Sequence, residues 1–186
     1  IIMSFNFKKL KISDIILIEP ESFNDERGYF FENYNELNFN ESGITTKFVQ
    51  DNFSYSKKNV LRGLHFQKNP KAQAKLVSVL KGEIFDVAVD LRKNSSTHMK
   101  WVSEILSEKK HNSLYIPEGF AHGFYVLSDS AYVTYKVNSH YSPEFASGIV
   151  WNDMKLNISW PTSEPILSIK DQNLLSSKDQ GYDFNF

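Results

Sequence analysis

Apolar and polar residues alternate with a period of two in short runs along most of this chain, and no other feature constrains its fold as strongly. The runs fall at 12–18, 47–54, 60–67, 75–80, 85–91, 101–106, 114–116, 123–127 and 131–137. Side chains of a strand point alternately to opposite faces, so the pattern predicts about nine half-buried strands. Turn signals separate them: Gly82 between Lys81 and Glu83, the Asn94-Ser95-Ser96 cluster, Pro117 with Gly119, and Ser128-Asp129-Ser130. Short strands punctuated in this way predict an all-β sandwich or barrel and oppose a βαβ architecture. Helix is confined to two expected turns, at 37–41 and 172–176. The segment from Pro161 onward, rich in Ser, Pro, Asn and Asp, is expected to wrap the barrel as loops and short helical turns.

A chain of 186 residues suits one domain, expected over 1–186, and buries roughly 70% of its unfolded surface. No staple of metal or disulfide is then needed to hold the core. Ile1 and Ile2 stand ahead of Met3, and residues 1–3 are set aside as a start outside the fold. Aromatic residues make up 15% of the chain, which suits the space between two sheets. With 22 acidic and 21 basic residues the formal net charge is -1. Such a balance supplies no broad field for a polyanion, so nucleic acid is not an expected partner and anionic ligands must be held locally. Cysteine is absent, which excludes thiol catalysis and thiolate metal sites. No window approaches the roughly 18 apolar residues of a membrane span. Lys8, Lys9 and Lys11 interrupt the start, and the expected location is cytoplasmic.

The segment Val60-Leu61-Arg62-Gly63-Leu64-His65-Phe66-Gln67 is the first that carries chemistry. Alternation puts Arg62 and His65 on opposite faces, so both reach one cavity only if the strand bulges at Gly63. A lone strand histidine is more often structural than catalytic. The second segment, Ile116-Pro117-Glu118-Gly119-Phe120-Ala121-His122-Gly123-Phe124, has a Pro-x-Gly-x-x-His spacing that resembles the second motif of cupins, a tight turn delivering a histidine into a barrel. Metal-binding cupins pair this with His-x-His and a glutamate. Here the pair is His65-x-Gln67, and Lys75 stands roughly where the glutamate belongs. An ammonium there repels a divalent cation yet can stabilise negative charge on a substrate oxygen, so no metal is expected.

Other candidates have both a bland and a functional reading. Phe23-Asn24-Asp25-Glu26-Arg27-Gly28-Tyr29-Phe30-Phe31-Glu32 is either a surface turn with core aromatics or a phosphate-gripping Arg27 beside Phe23 or Phe30. Tyr135 lies in a strand whose alternate residues face inward, and Tyr141 follows it. Packing is the default for a buried tyrosine, but one facing a histidine across a cavity makes a base and acid pair sufficient for inversion beside a carbonyl. Asp171 after Lys170 is either solvated or the carboxylate that orients an imidazole.

In their order these segments are similar to the dTDP-4-dehydrorhamnose 3,5-epimerase family. The pieces are Asp25-Glu26-Arg27-Gly28-Tyr29-Phe30, Phe48-Val49-Gln50-Asp51-Asn52, Leu61 to Gln67, Gln73-Ala74-Lys75-Leu76-Val77, Phe85 to Arg92, Pro117 to Phe124, Tyr135-Lys136 and Trp160-Pro161. The likeness runs from about Ile12 through Asp171, is weakest over 172–186, and departs at Ala74, where many members have glycine. It implies a double-stranded β-helix, the cupin-like jelly roll, and cofactor-free inversion at C3 and C5 of a dTDP-linked 4-keto-6-deoxyhexose in dTDP-L-rhamnose synthesis. Carried onto matching positions, it makes His65 the general base with Asp171 behind it, Tyr135 the acid, and Lys75 the partner of the enolate oxygen. His122 lines the sugar pocket, and Lys170 joins it as a substrate-binding residue. Gln50, Asn52 and Arg62 contact the nucleotide, with Tyr141 near the thymine. Arg27, Phe30 and Glu32 reach the neighbouring subunit of a homodimer with exchanged N-terminal strands.

Three competitors make distinct expectations. A 3- or 5-epimerase, or a ketoisomerase, uses the same residues and differs in product. A non-catalytic carbohydrate-binding module predicts loss of His65, Tyr135 or Asp171, and a metal-dependent dioxygenase or isomerase predicts a fuller His and Glu set.

Overall fold

A computed structural model describes residues 4–185. The expectation for residues 1–3 therefore lies outside the described residues. In chain order the elements are β1 (Phe5–Lys9), β2 (Ile16–Pro20), β3 (Phe23–Asp25), β4 (Gly28–Phe30), α1 (Glu36–Glu41), β5 (Gln50–Lys57), β6 (Leu61–Gln67) and β7 (Lys75–Lys81). There follow β8 (Glu83–Asp90), β9 (Trp101–Ser107), β10 (Ser113–Ile116), β11 (Phe120–Val126), β12 (Ser130–Val137), β13 (Ala146–Gly148) and α2 (Ile169–Gln172).

The strands make a six-stranded sheet, in the order β1-β2-β10-β7-β12-β5, and a five-stranded sheet, in the order β13-β6-β11-β8-β9, with β3 and β4 as a separate hairpin. Inward residues of both sheets meet in one core, Val77, Leu114 and Val133 from the larger and Ala88, Val102 and Phe124 from the smaller. The other face of the smaller sheet is covered as well. Leu64, Phe66, Val87 and Val89 pack there against Leu156 and Phe184, with Trp160 and Tyr182 at the edge. Burial on both faces explains why β11 is apolar or small almost throughout, with His122 and the Tyr125 hydroxyl as its polar side-chain groups. The C-terminal segment thus wraps the smaller sheet, as its composition predicts.

All nine predicted strands form, with ends shifted by a few residues. Four more, β1, β3, β4 and β13, escape the periodicity, because Lys8 and Lys9 break the first and the others are three residues long. The first helical turn stands at Glu36–Glu41, opened by Asn35, whose side chain accepts from the Leu37 amide at 3.1 Å. The second is a correction: helix occupies Ile169–Gln172 rather than 172–176. Ser168 is the cause, since its hydroxyl caps the Asp171 amide at 3.1 Å and starts the turn upstream. Among the described residues no helix is long and apolar enough to cross a membrane.

Candidate active site

A cavity of about 230 Å³ opens between the sheets, with a wall from each. Ser54, Lys75 and Tyr135 come from the larger sheet, and Arg62, His65 and His122 from the smaller, with Tyr141 and Lys170 also lining it.

The bulge needed to bring Arg62 and His65 together is present. His65 pairs with His122, but Arg62 pairs with Phe124, so three steps along β6 oppose two along β11. Gly63 sits at the irregularity with φ of +135°, and a Cβ there would lie 2.5 Å from the Gly123 Cα. Only glycine permits that conformation and that approach. The extra residue turns both Arg62 and His65 into the cavity, which strict alternation would forbid.

His65 Nε2 donates to Asp171 Oδ1 at 2.5 Å, which leaves Nδ1 as the nitrogen able to accept a proton. The imidazole is 39% exposed and the carboxylate 4%. Burial pushes the Asp171 carboxyl up, but the hydrogen bond and charge of His65, the Ser168 hydroxyl and Lys170 outweigh it and hold the group below its ordinary value. It is therefore a carboxylate at neutral pH, behind a histidine that reaches solvent.

On the neighbouring strand His122 Nε2 donates to Asp86 Oδ2 at 2.8 Å, and this second pair is buried. Burial drives the Asp86 carboxyl above its ordinary value despite the charges of His122 and Lys75. Lys75 is itself buried, and desolvation lowers its ammonium to about 8 against the pull of Asp86. Burial also raises the Tyr135 phenol, partly offset by Arg62, so it is protonated and able to donate. Arg62 is anchored through Nε to Ser56 Oγ at 2.9 Å and through Nη2 to the Tyr55 carbonyl at 3.2 Å. This set can take a proton from carbon, hold an oxyanion and return a proton.

His65, Asp171, Lys75, Tyr135, Arg62, His122, Tyr141 and Lys170 are therefore gathered at or directly behind one cavity. Gln50 and Asn52 stand one layer back. Gln50 Nε2 donates to Asn52 Oδ1 at 2.8 Å, and Asn52 reaches the Tyr135 carbonyl at 3.5 Å. Phe23, Arg27, Phe30 and Glu32 are not among the described residues that line the cavity. Phe23 pairs with Phe30 across the β3–β4 hairpin, Arg27 is 90% exposed and bound to Asp25 at 2.5 Å, and Glu32 accepts from Asn35. Sequence reading missed Asp86, Ser54 and Gln73. Asp86 carried a signal, a lone charge inside the apolar run Phe85-Asp86-Val87-Ala88-Val89. Among the described residues no three His, Asp or Glu side chains group to hold a metal.

Two antiparallel sheets around a cavity of histidines, a lysine and a tyrosine define a cupin-like protein with an acid–base site. The model of the dTDP-4-dehydrorhamnose 3,5-epimerase family matches residues 9–179, and the chain belongs to that family. It is 51% identical over 178 residues to the dTDP-4-dehydrorhamnose 3,5-epimerase of Methanothermobacter thermautotrophicus, covering 96% of this chain and 93% of that one. The Shigella flexneri enzyme of the same name is 53% identical over 169 residues, with 90% and 93% covered. The fold superposes with a TM-score of 0.90 on the dTDP-6-deoxy-D-glucose-3,5-epimerase of Legionella pneumophila Philadelphia 1 in complex with dTDP-4-keto-L-rhamnose, at 47% identity and 93% of each chain.

Proposed function

We propose that this chain is a dTDP-4-dehydrorhamnose 3,5-epimerase, an isomerase that converts dTDP-4-dehydro-6-deoxy-D-glucose to dTDP-4-dehydro-L-rhamnose. The observation that carries the reading is the half-exposed His65, backed by the ionised Asp171, in one cavity with Lys75 and Tyr135.

The C4 ketone acidifies the protons on C3 and C5. His65 removes one of them through Nδ1, and Asp171 stabilises the imidazolium that forms. Negative charge moves onto the C4 oxygen, where the Lys75 ammonium, aided by His122, receives it. Tyr135 then returns a proton to the carbon from the opposite face, inverting that centre; the His65 imidazolium releases its proton to solvent and the phenol regains one from solvent, which resets the pair. A modest shift of the ring brings the second centre to the same pair. Arg62 and Lys170 hold the pyrophosphate, and Tyr141 packs against the base.

The protein acts as a single domain in the cytoplasm, in the synthesis of dTDP-L-rhamnose. Its working form is a homodimer with exchanged N-terminal strands. Support comes from the β3–β4 hairpin, which leaves Arg27 free of its own cavity and Phe30 59% exposed, and from Phe53, 60% exposed on the edge strand β5. Phe23, Arg27, Phe30 and Glu32 complete the partner's nucleotide site.

Proton NMR of dTDP-4-dehydro-6-deoxy-D-glucose with the EDTA-treated protein in deuterium oxide tests the reading. Loss of both the C3 and C5 signals with product formation is expected. Loss of one signal assigns a single-centre epimerase, and loss of neither overturns the reading.

A further inference from the structure

Residues 139–142 carry Tyr141 to the mouth of the cavity without belonging to any strand or helix. Backbone groups in such a segment ordinarily turn to water, which leaves the segment mobile. Here side-chain amides take them. Gln73 Nε2 donates to the Ser139 carbonyl at 2.7 Å, and Gln67 Nε2 to the His140 carbonyl at 3.2 Å. The Tyr141 amide donates to Gln50 Oε1 at 3.0 Å, and the Ser142 amide to Gln67 Oε1 at 2.7 Å. Four successive residues are thus gripped by three glutamines, from β5, from the end of β6 and from the β6–β7 connection. Gln67 bonds a carbonyl and the amide two residues on, the pairing a neighbouring strand would offer. A primary amide can do this because it carries both a donor and an acceptor.

Gln67 is also fully committed. Its second N–H donates to the Lys71 carbonyl at 2.7 Å, and the residue is 3% exposed. Both of its N–H groups are spent on the backbone, so it has none left to donate to a ligand, although it lines the cavity. Tyr141, by contrast, is 56% exposed, a flat ring held on a fixed backbone.

We infer that Gln67 and Gln73, with Gln50, are positioning residues that lock the 139–142 segment and so preorganise Tyr141 as the stacking platform for the nucleobase. The inference rests on the nucleotide-sugar reading proposed above. A platform whose backbone is already ordered avoids the entropy of ordering it when ligand arrives, a difference on the order of tenfold in affinity.

The test uses the intact protein, Gln67→Leu, Gln73→Leu and each combined with Tyr141→Ala. Amide hydrogen exchange at Tyr141 and Ser142 follows the segment, and calorimetric titration with dTDP follows the site. Gln67→Leu should accelerate exchange at Ser142 at least about tenfold while β7 and β12 amides stay protected. It should weaken dTDP by about tenfold and have no further effect in the Tyr141→Ala background. The half-buried Gln73→Leu, which removes one bond, should act in the same direction by about threefold. Should Gln67→Leu fail to fold, Gln73→Leu decides. Unchanged exchange overturns the inference, as does equal weakening with and without Tyr141, which would mean direct ligand contact. A wild-type protein that binds no dTDP overturns the nucleotide reading, and with it the role of Tyr141, whatever the exchange at these amides.

Discussion

Two histidine–aspartate pairs sit side by side on neighbouring strands, His65 being the register partner of His122, yet their surroundings differ. The His65 ring is 39% exposed and its aspartate sits below the ordinary carboxylate value. His122 is 9% exposed, and its aspartate, fully buried, is pushed above that value. Asp171 arrives on a capped helical turn that feeds it hydrogen bonds. Asp86 lies inside a strand buried on both faces, and among the described residues its Oδ1 has no hydrogen-bond partner. The same two residue types thus make a pair suited to proton transfer where solvent and hydrogen bonds favour charge, and a buried neighbour of Lys75 where they do not. In the proposed mechanism burial, more than residue identity, decides which pair does chemistry.

Breaking each pair should separate the two roles. The largest effect is expected from His65→Ala, a loss of roughly 10³ to 10⁴ in kcat, read from steady-state kinetics. Asp171→Asn leaves the ring in place with its tautomer and charge support impaired. It should lower kcat by about 10², the lower end of a general-base contribution, with little change in melting temperature. Asp86→Ala should show the opposite balance, destabilising the fold by about 3 kcal/mol in a denaturant titration, because it leaves charge buried without its partner.

Two finer effects follow from the tyrosine and the lysine. Tyr135→Phe should retain deuterium wash-in by His65 while inversion falls by about 10². The Lys75 ammonium titrates at about 8, so kcat should decline as pH rises through that value, and Asp86→Asn should move the decline to lower pH. For stability the sign is reversed. Between about 8 and the ordinary lysine value of 10.5 the unfolded chain holds a proton that the folded chain has released. Lys75 therefore makes unfolding free energy rise with pH across that window, a contribution that Lys75→Met abolishes in thermal melts run at successive pH values.

How far these regions could be read from sequence follows the same division. Period-two alternation located the sheet that carries His65, and the order of motifs pointed to the acid–base set. The Gly63 bulge was legible too, because two cavity-directed residues three apart violate strand alternation. Asp86 was harder, since a charge in an apolar run states that something must partner it but not what. Gln67 read as a dismantled metal ligand, whereas its amide is spent on the backbone of 139–142, a contact between residues some seventy positions apart that no local pattern encodes. The early turn of α2 was decided by one cap, Ser168, against a compositional reading that placed helix further on. Arg27 and its neighbours were read as site residues, and in their own chain they stand apart from the cavity.

In the proposed mechanism the exposed pair, and not the buried one, removes the proton. The direct measurement is proton NMR in deuterium oxide on His65→Ala and His122→Ala side by side, following C3 and C5 of the keto sugar. No wash-in at either carbon is expected for His65→Ala, and slowed but continuing wash-in for His122→Ala. Wash-in at the wild-type rate in His65→Ala would contradict the assignment of His65 as the base.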